Sequence, residues 1–365
     1  MKLGLFMNSW HLPETIAADA YDIDLDLIVR AEELGYEEVL FGEHFTSLWA
    51  KLPTPDLLIA AALQRTTRIR LGTGVNCLPY HHPAMLAHRI ATLDHLARGR
   101  LIWGIGAGGL PGDMELFRVE LEGGEHRRLW PQVVDAVLRV WQQARDGASA
   151  GETWDTPHWR LKLPGRTDGL FGLHIAPYQQ PHPQIAVAGF TPKSETLVVA
   201  GERGWIPMSI GTVPVSTVAS HWETYAEAAE RAGRIPRRAE WRIVREVHVA
   251  ETTEQARREA LDGGLANAWS NYILKVLPLF NALGTVKTDP DMPDVALTLE
   301  WLLDNNWIVG SPDDVARQLR EFYQRVGGFG TLHHVPYNWG VRQDQNIRSM
   351  ELLATEVMPQ LADLH

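Results

Sequence analysis

The chain has 365 residues, 45% of them hydrophobic and 22% charged, with 31 Gly and 22 Pro. Those proportions exclude wholesale disorder, collagen and coiled coil. The formal net charge is −11 and no Lys/Arg block stands out, which argues against a nucleic-acid surface. One cysteine, Cys77, excludes an intrachain disulfide and a Cys-rich metal site, and it reads as a small buried strand residue. The run from Met1 to Trp10 is too short for a signal sequence or a membrane span. A reducing, cytoplasmic setting without membrane partners is expected.

Short apolar runs alternate with longer amphipathic stretches. Leu3–Met7 reads as a strand, followed by a helical stripe at Leu27, Ile28, Ala31 and Leu34. Val39–Phe41 is the next strand, and Pro55 suits the first turn of a helix reaching Leu63. Ile69–Val75 and Leu101–Ile105 are the third and fourth strands, each followed by a helical stripe. Residues 146–183, rich in Gly, Pro, Thr and His, form an excursion with the look of a hairpin. Alternation resumes with Ile185–Ala188, a helix near Ser194–Ala200, Ile206–Met208, a helix over Val215–Arg234 and a seventh strand at Ile243–Val249. Residues 262–306 are a second irregular insertion. A stripe at Val315, Leu319, Phe322 and Val326, an eighth strand at Thr331–Val335 and a helix over Asn346–Leu361 complete the chain. The strands are continuous apolar runs, as a parallel sheet covered by helices requires. Eight of them predict one α/β domain over 1–365, a (β/α)₈ TIM barrel with two insertions. A doubly wound open sheet is the rival.

Catalytic groups of such a barrel sit at the carboxyl ends of its strands. Gly42-Glu43-His44-Phe45 ends the second strand, where an imidazole can donate a hydrogen bond or move a proton near neutral pH. Gly104-Ile105-Gly106-Ala107-Gly108-Gly109 fits G-x-G-x-x-G by letter. It follows the fourth strand, and Leu110-Pro111-Gly112 reads as a loop where a dinucleotide fold needs a helix. A strand end kept clear of side chains, or a plain tight turn, remains. His81-His82 and His333-His334 are adjacent pairs that point to opposite faces, and no metal-binding spacing occurs. Gly189-Phe190-Thr191-Pro192-Lys193-Ser194 joins the fifth strand to a helix, with Thr191 or Ser194 as a cap or the first turn as a phosphate site. Ser209 ends the sixth strand.

Taken in order, these residues resemble the bacterial luciferase-like flavin monooxygenases. The likeness runs from Leu3-Gly4-Leu5-Phe6-Met7-Asn8-Ser9-Trp10 through Gly42-Glu43-His44, Gly72-Thr73-Gly74, Leu78-Pro79 and His82-Pro83. It continues through Leu93-Asp94, Gly99-Arg100 and Gly104-Ile105-Gly106 to Val309-Gly310-Ser311-Pro312-Asp313-Asp314-Val315. The amino-terminal half is most similar to the branch that oxidises terpenes, the limonene and diketocamphane monooxygenases. The resemblance implies a barrel that binds reduced FMN at its carboxyl face, with the flavin supplied by a separate reductase. O₂ then adds at flavin C4a, and the peroxide oxidises a small apolar substrate. It also implies a homodimer. Two alternatives stay open: an oxidoreductase using deazaflavin F420, and a non-catalytic flavin-binding subunit.

Carried over by position, His44 is the catalytic histidine that the resemblance implies. Gly74-Val75 is the place of a non-prolyl cis peptide against the flavin ring, and Asn76 follows as a ring partner. Gly106 and Ala107 are fourth-strand flavin contacts. Gly189, Phe190 and Ser194 form the phosphate loop, with Met208 and Ser209 beside the ring or ribityl chain. Asn8, Trp10, Trp49, His82 and Trp339 are the expected substrate pocket, and 262–306 is the expected lid. Two residues depart from the luciferase branch, Phe45 where it has a second histidine and Ala107 where it has an arginine. The phosphate is then expected to rely on backbone N–H groups and Ser194, with Lys193 or Arg203 in support.

Overall fold

The computed structural model describes residues 1–167, 169–289, 291–337 and 342–364. Eight parallel strands form a closed ring: β1 (Lys2–Met7), β2 (Glu38–Phe41), β3 (Arg70–Thr73), β4 (Leu101–Gly106), β5 (Gln184–Gly189), β6 (Ile206–Ser209), β7 (Arg242–Arg245) and β8 (Thr331–His334). Each pairs with the next in sequence. Leu71↔Leu101 joins β3 to β4, and Lys2↔Thr331 joins β8 back to β1. The covering helices are α1 (Ala17–Glu33), α2 (Pro55–Leu63), α3 (Pro83–Ala97), α4 (Glu125–Asp146), α5 (Glu195–Arg203), α6 (Val215–Arg231), α7 (Pro312–Val326) and α8 (Gln343–Leu352). The fold is a (β/α)₈ TIM barrel.

Strand alternation sorts the side chains into two apolar layers. Leu5, Val39, Leu71, Trp103, Val187, Ile243 and Leu332 face outward and pack on the helices. Trp103, for example, meets Trp141 of α4 edge-on at 5.1 Å. Phe6, Leu40, Ile102, Ala186, Met208 and Val244 face inward and fill the barrel. Beneath them, at the amino ends of the strands, lies a charged plug. Arg242 donates to Glu38 at 3.0 and 3.2 Å, and His333 Nε2 lies 2.9 Å from the same carboxylate. Burial alone would raise the Glu38 pKa, but His333 and Arg242 hold it well below the usual carboxylate range. This plug closes the lower end, so the open end of the barrel is the carboxyl rim.

Four segments differ from the sequence expectation. The third run stops at Thr73. The Gly74–Val75 peptide is cis, and Asn76 and Cys77 pair separately with Ile105 and Gly106. The seventh run splits at Glu246, after which Val247–Val249 pairs with Ile308–Gly310. The stretch after Gly109, expected as a loop, holds a short helix at Pro111–Phe117. The first insertion carries the expected hairpin, Thr153–Asp155 against Arg160–Lys162. The second is a set of short helical turns, including a π turn at Trp269–Ile273, rather than irregular chain. Among the described residues no helix is long and apolar enough to cross a membrane.

Candidate active site

Three arcs of the carboxyl rim bear the side chains that matter. The first comprises β1, β2 and the second insertion. Gly42 lets Asn8 lie across the end of β2, since a Cβ there would sit 2.0 Å from Asn8 Oδ1. Trp10 pairs with Ala50, which ties the segment 44–50 that leaves β2 to the chain leaving β1. The Trp10 ring is 6.3 Å from His44 and 4.7 Å, edge-on, from Tyr272 of the insertion. Trp49 stands 6.1 Å from Tyr272. Together with Trp269, Leu277 and Trp307, these residues continue the inner apolar layer upward from Phe6 and Leu40. The insertion therefore packs its aromatic side chains onto Trp10 and Trp49 and forms a roof over the barrel mouth.

The His44 N–H donates to the Leu52 carbonyl at 3.3 Å, and the ring is positioned by its neighbours. Asp113, buried on the short helix Pro111–Phe117, accepts from the N–H groups of Phe45 and Thr46 at 3.1 and 2.7 Å. It also accepts the Thr46 hydroxyl at 2.6 Å. Its other oxygen is 3.9 Å from His44 Nδ1, too far for a hydrogen bond but close enough to be felt as charge. Burial pushes the His44 pKa down, while Asp113 and Glu43 pull it back up. The ring is then neutral near pH 7, with 28% of the side chain still open to the mouth.

The second arc, β3 to β6, has small or apolar inward residues. A Cβ on Gly106 would meet Val75 Cγ2 at 2.7 Å, so the cis segment and the end of β4 are in contact across a bare backbone. Val75 and Ala188 join the inner layer, Phe190 contacts both layers, and Ala107 packs on the outer one. Met208 points inward and is fully buried. After Gly189 the chain turns into α5. Ser194 is its N-cap residue but caps nothing; its hydroxyl lies 3.0 Å from Thr196 Oγ1, which donates to the Ala188 carbonyl. The turn is braced from below by a directed chain. Trp241 Nε1–H donates to Ser209 Oγ at 3.0 Å, so the Ser209 hydroxyl proton goes to His221 Nδ1 at 3.0 Å. His221 Nε2–H then donates to the Thr191 carbonyl at 2.9 Å. Burial lowers the His221 pKa to about 4, which keeps this tautomer neutral.

The structure corrects several expected roles. The Asn76 amide is not free for a ring, because it donates to Glu43 and accepts from Trp103 Nε1 at 3.2 Å in the outer layer. Ser209 likewise turns outward, to Trp241 and His221. His82 caps α3 and reaches the Arg160 carbonyl of the hairpin at 3.1 Å; the Pro83 that follows fixes it at the helix start, away from the mouth. Arg203 is at the far end of α5, paired with Asp135, about 13 Å of helix from Ser194. Thr191 is not a helix cap; its carbonyl accepts from His221. Trp339 lies outside the described residues.

The third arc was not singled out in the sequence. Counting alternation from Val244, which is inward, places Arg245 outward and Glu246 inward at the rim. Arg245 indeed donates to the Gly211 and Val213 carbonyls on the outer side. Glu246 accepts from the Tyr337 hydroxyl at 3.2 Å. Asp113, His221 and Tyr272 also escaped notice. Their roles depend on contacts between distant segments, and only the inward register of Glu246 had a signal in the sequence. Among the described residues no group of three His, Cys, Asp or Glu is placed to hold a metal.

The chain as a whole is similar to known proteins. The luciferase-like monooxygenase family model matches residues 1–328. The chain is 29% identical to 3,6-diketocamphane 1,6-monooxygenase of Pseudomonas putida, over 99% of this chain and 98% of that protein. It is 32% identical to limonene 1,2-monooxygenase of Rhodococcus erythropolis, over 98% of this chain and 86% of that protein. Its structure matches the oxygenating constituent of 3,6-diketocamphane monooxygenase, a type II Baeyer-Villiger monooxygenase from the CAM plasmid of Pseudomonas putida solved in complex with FMN. The TM-score is 0.88, with 28% identity over 98% of both chains. The chain belongs to the luciferase-like monooxygenase family.

Proposed function

We propose that this protein is the oxygenase component of a two-component system that uses reduced FMN and O₂ to oxidise a small apolar organic compound. The observation that carries the reading is that a neutral His44, the bare Gly106–Val75 contact and the uncapped first turn of α5 share one end of the barrel. The residues fit the group. A flat ring needs a strand end without projecting side chains, and a phosphate needs unused N–H groups at a helix start. Gly74, Val75, Gly106, Phe190 and Met208 would flank the ring system, Ala107 being turned to the outer layer, and Gly189 to Ser194 would take the phosphate. When bound and reduced, FMN supplies the electrons with which O₂ is activated. The chain's own part is to hold that ring, exclude water with the Trp10, Trp49 and Tyr272 roof, and keep the His44 imidazole ready to give or take a proton.

A reductase that delivers flavin by diffusion suits a phosphate site whose expected arginine, Arg203, is at the far end of α5 and paired with Asp135. The proposed cellular setting is the cytoplasm, and the proposed state is a homodimer. Leu57 of α2 and Met85 of α3 are 67% and 62% exposed on helices that pack together. Leu48 and Leu116, 73% and 57% exposed, lie on segments joined through Asp113. Exposed apolar groups of this kind mark association surfaces, and sedimentation equilibrium measures the result.

The test is anaerobic titration with photoreduced FMN, followed by mixing with oxygenated buffer and a terpene-sized substrate. Reduced FMN is expected to bind, and His44→Ala to keep that binding while losing productive oxygenation by on the order of 10²-fold. Failure to bind flavin in either redox state overturns the reading. Binding of F420 in preference to FMN overturns its cofactor.

A further inference from the structure

We propose that Asp24 is a positioning residue for the reaction: it clamps the two residues on either side of Trp10, and so fixes the indole that shields the flavin from water. The inference rests on the reading above, because it takes Trp10 as part of the roof over a bound flavin. Asp24 itself belongs to α1, among the helices that cover the strands from outside.

Four observations single out this carboxylate. Ala20, Asp24, Ile28 and Ala31 fall on one buried stripe of α1, so the acid occupies a place where the helix pattern calls for an apolar residue. Its two oxygens are divided between two partners: Oδ2 accepts the Ser9 hydroxyl at 2.6 Å, and Oδ1 lies 3.0 Å from His11 Nε2. Those partners are the immediate neighbours of Trp10, and all three polar residues are at most 2% exposed. Ser9 has a φ of +50°, a left-handed backbone that a serine rarely adopts, at the point where the chain leaves β1 for Trp10.

The main chain repeats the arrangement. The Ser9 carbonyl accepts from the Lys51 N–H at 3.0 Å, and the His11 N–H donates to the Trp49 carbonyl at 2.9 Å. Trp10 is thus held on both flanks, while its ring lies in the inner layer beside Tyr272, 6.3 Å from His44. A serine, a histidine and an aspartate in contact suggest a hydrolytic triad. Here the hydroxyl meets the carboxylate rather than the imidazole and all three are buried, so the trio has no nucleophile to offer. Burying an acid costs stability that an apolar residue at the same place would not. What the acid supplies is direction: its two oxygens each fix one side of a turn that packing alone would leave free to relax. Reduced FMN left open to water reacts with O₂ to give oxidised FMN and H₂O₂, so a slack Trp10 wastes flavin without oxidising substrate.

The experiment has two readouts. Fluorine NMR of protein labelled with 5-fluorotryptophan follows the Trp10 indole without flavin, its resonance assigned by Trp10→Phe. Stopped-flow absorbance follows the return of oxidised FMN after protein loaded with reduced FMN meets O₂, with no substrate added. Asp24→Leu, which fills the same space without hydrogen bonds, is expected to shift or broaden the Trp10 resonance and to return oxidised FMN several-fold faster. Asp24→Asn, whose amide oxygen accepts from Ser9 and whose N–H can face His11 Nε2, should stay close to the parent in both. Ile28→Ala, one turn further along the same stripe, should lower stability and move neither readout. Either readout unchanged in Asp24→Leu overturns the inference, as does an Ile28→Ala variant that matches Asp24→Leu. Should Asp24→Leu fail to fold, Ser9→Ala, which removes one of the two ties, decides alone: parental values in both readouts overturn the proposal. Absence of FMN binding in the unmodified protein overturns instead the function on which the inference rests, and the Trp10 resonance still tests the clamp.

Discussion

Glu43 holds Asn76 by accepting its side-chain amide at 3.0 Å. The other carboxylate oxygen accepts the Cys77 N–H at 2.7 Å, and His81 Nε2 lies about as close to both. The residue just before the catalytic candidate His44 therefore ties the second strand end to the segment that follows Gly74–Val75. Glu43 looks outward and His44 faces the rim because they are consecutive in an extended chain.

Removing that carboxylate should be felt in stability and in flavin binding together. Glu43→Ala strands the Cys77 N–H and the Asn76 amide in a buried layer and is expected to cost about 3 kcal/mol. Glu43→Gln keeps one acceptor and should cost less than half as much. Urea unfolding midpoints measure the first effect, and the dissociation constant for FMN measures the second. Equal stability of the alanine variant and the parent would show that the tie is dispensable.

His221 makes stability depend on pH in a stated direction. Its folded pKa is lowered to about 4 by burial, below the 6.5 of a free imidazole. Below pH 6.5 the unfolded chain takes up a proton that the folded chain refuses. The stabilising contribution is thus complete above pH 6.5, declines as pH falls, and is gone once pH passes about 4. The span amounts to about 3 kcal/mol. His334, whose pKa burial lowers to about 3, titrates in the same sense, so the comparison must be with a variant. His221→Gln is expected to flatten the fall in unfolding free energy between pH 6.5 and 4 relative to the parent. It should also weaken FMN binding, since the Thr191 carbonyl loses its brace. An unchanged slope would mean that the imidazole is already protonated in the folded protein.

The strands were legible because both faces of a barrel strand are buried, which turns Leu101–Ile105 or Ile185–Ala188 into an unbroken apolar run. The charged plug was not, because Glu38 and Arg242 sit at strand starts and read as loop residues until the ring closes around them. The place of His44 at the rim was legible from its position after the second strand. Asn76 was legible as a residue but not as a direction: alternation counted from Leu71 is lost across Gly74–Val75, where the ladder is interrupted. His82 failed for a different reason, since X-Pro marks a helix start as readily as a pocket edge. Asp113 was hidden by its setting of Gly109 and Gly112, which suggested a turn where a helix begins at Pro111.

Asp113 offers the sharpest separation of charge from architecture. One oxygen collects three hydrogen bonds from Phe45 and Thr46, while the carboxylate as a whole acts on His44 across 3.9 Å. An asparagine retains an oxygen that can accept the same three donors but loses the negative charge. Asp113→Asn should therefore leave the loop in place and lower the His44 pKa further, because Asp113 is the larger of the two charges that raise it. Asp113→Ala should in addition leave two N–H groups and a hydroxyl without an acceptor, at a cost of about 2–3 kcal/mol. Proton NMR of the His44 ring follows the titration, and thermal unfolding follows the loop. The expected pattern is a downward pKa shift in both variants with a marked loss of stability only in the alanine one. A His44 titration that does not move in Asp113→Asn would mean that burial alone sets its protonation, and that the acid on the neighbouring helix serves only to shape the loop.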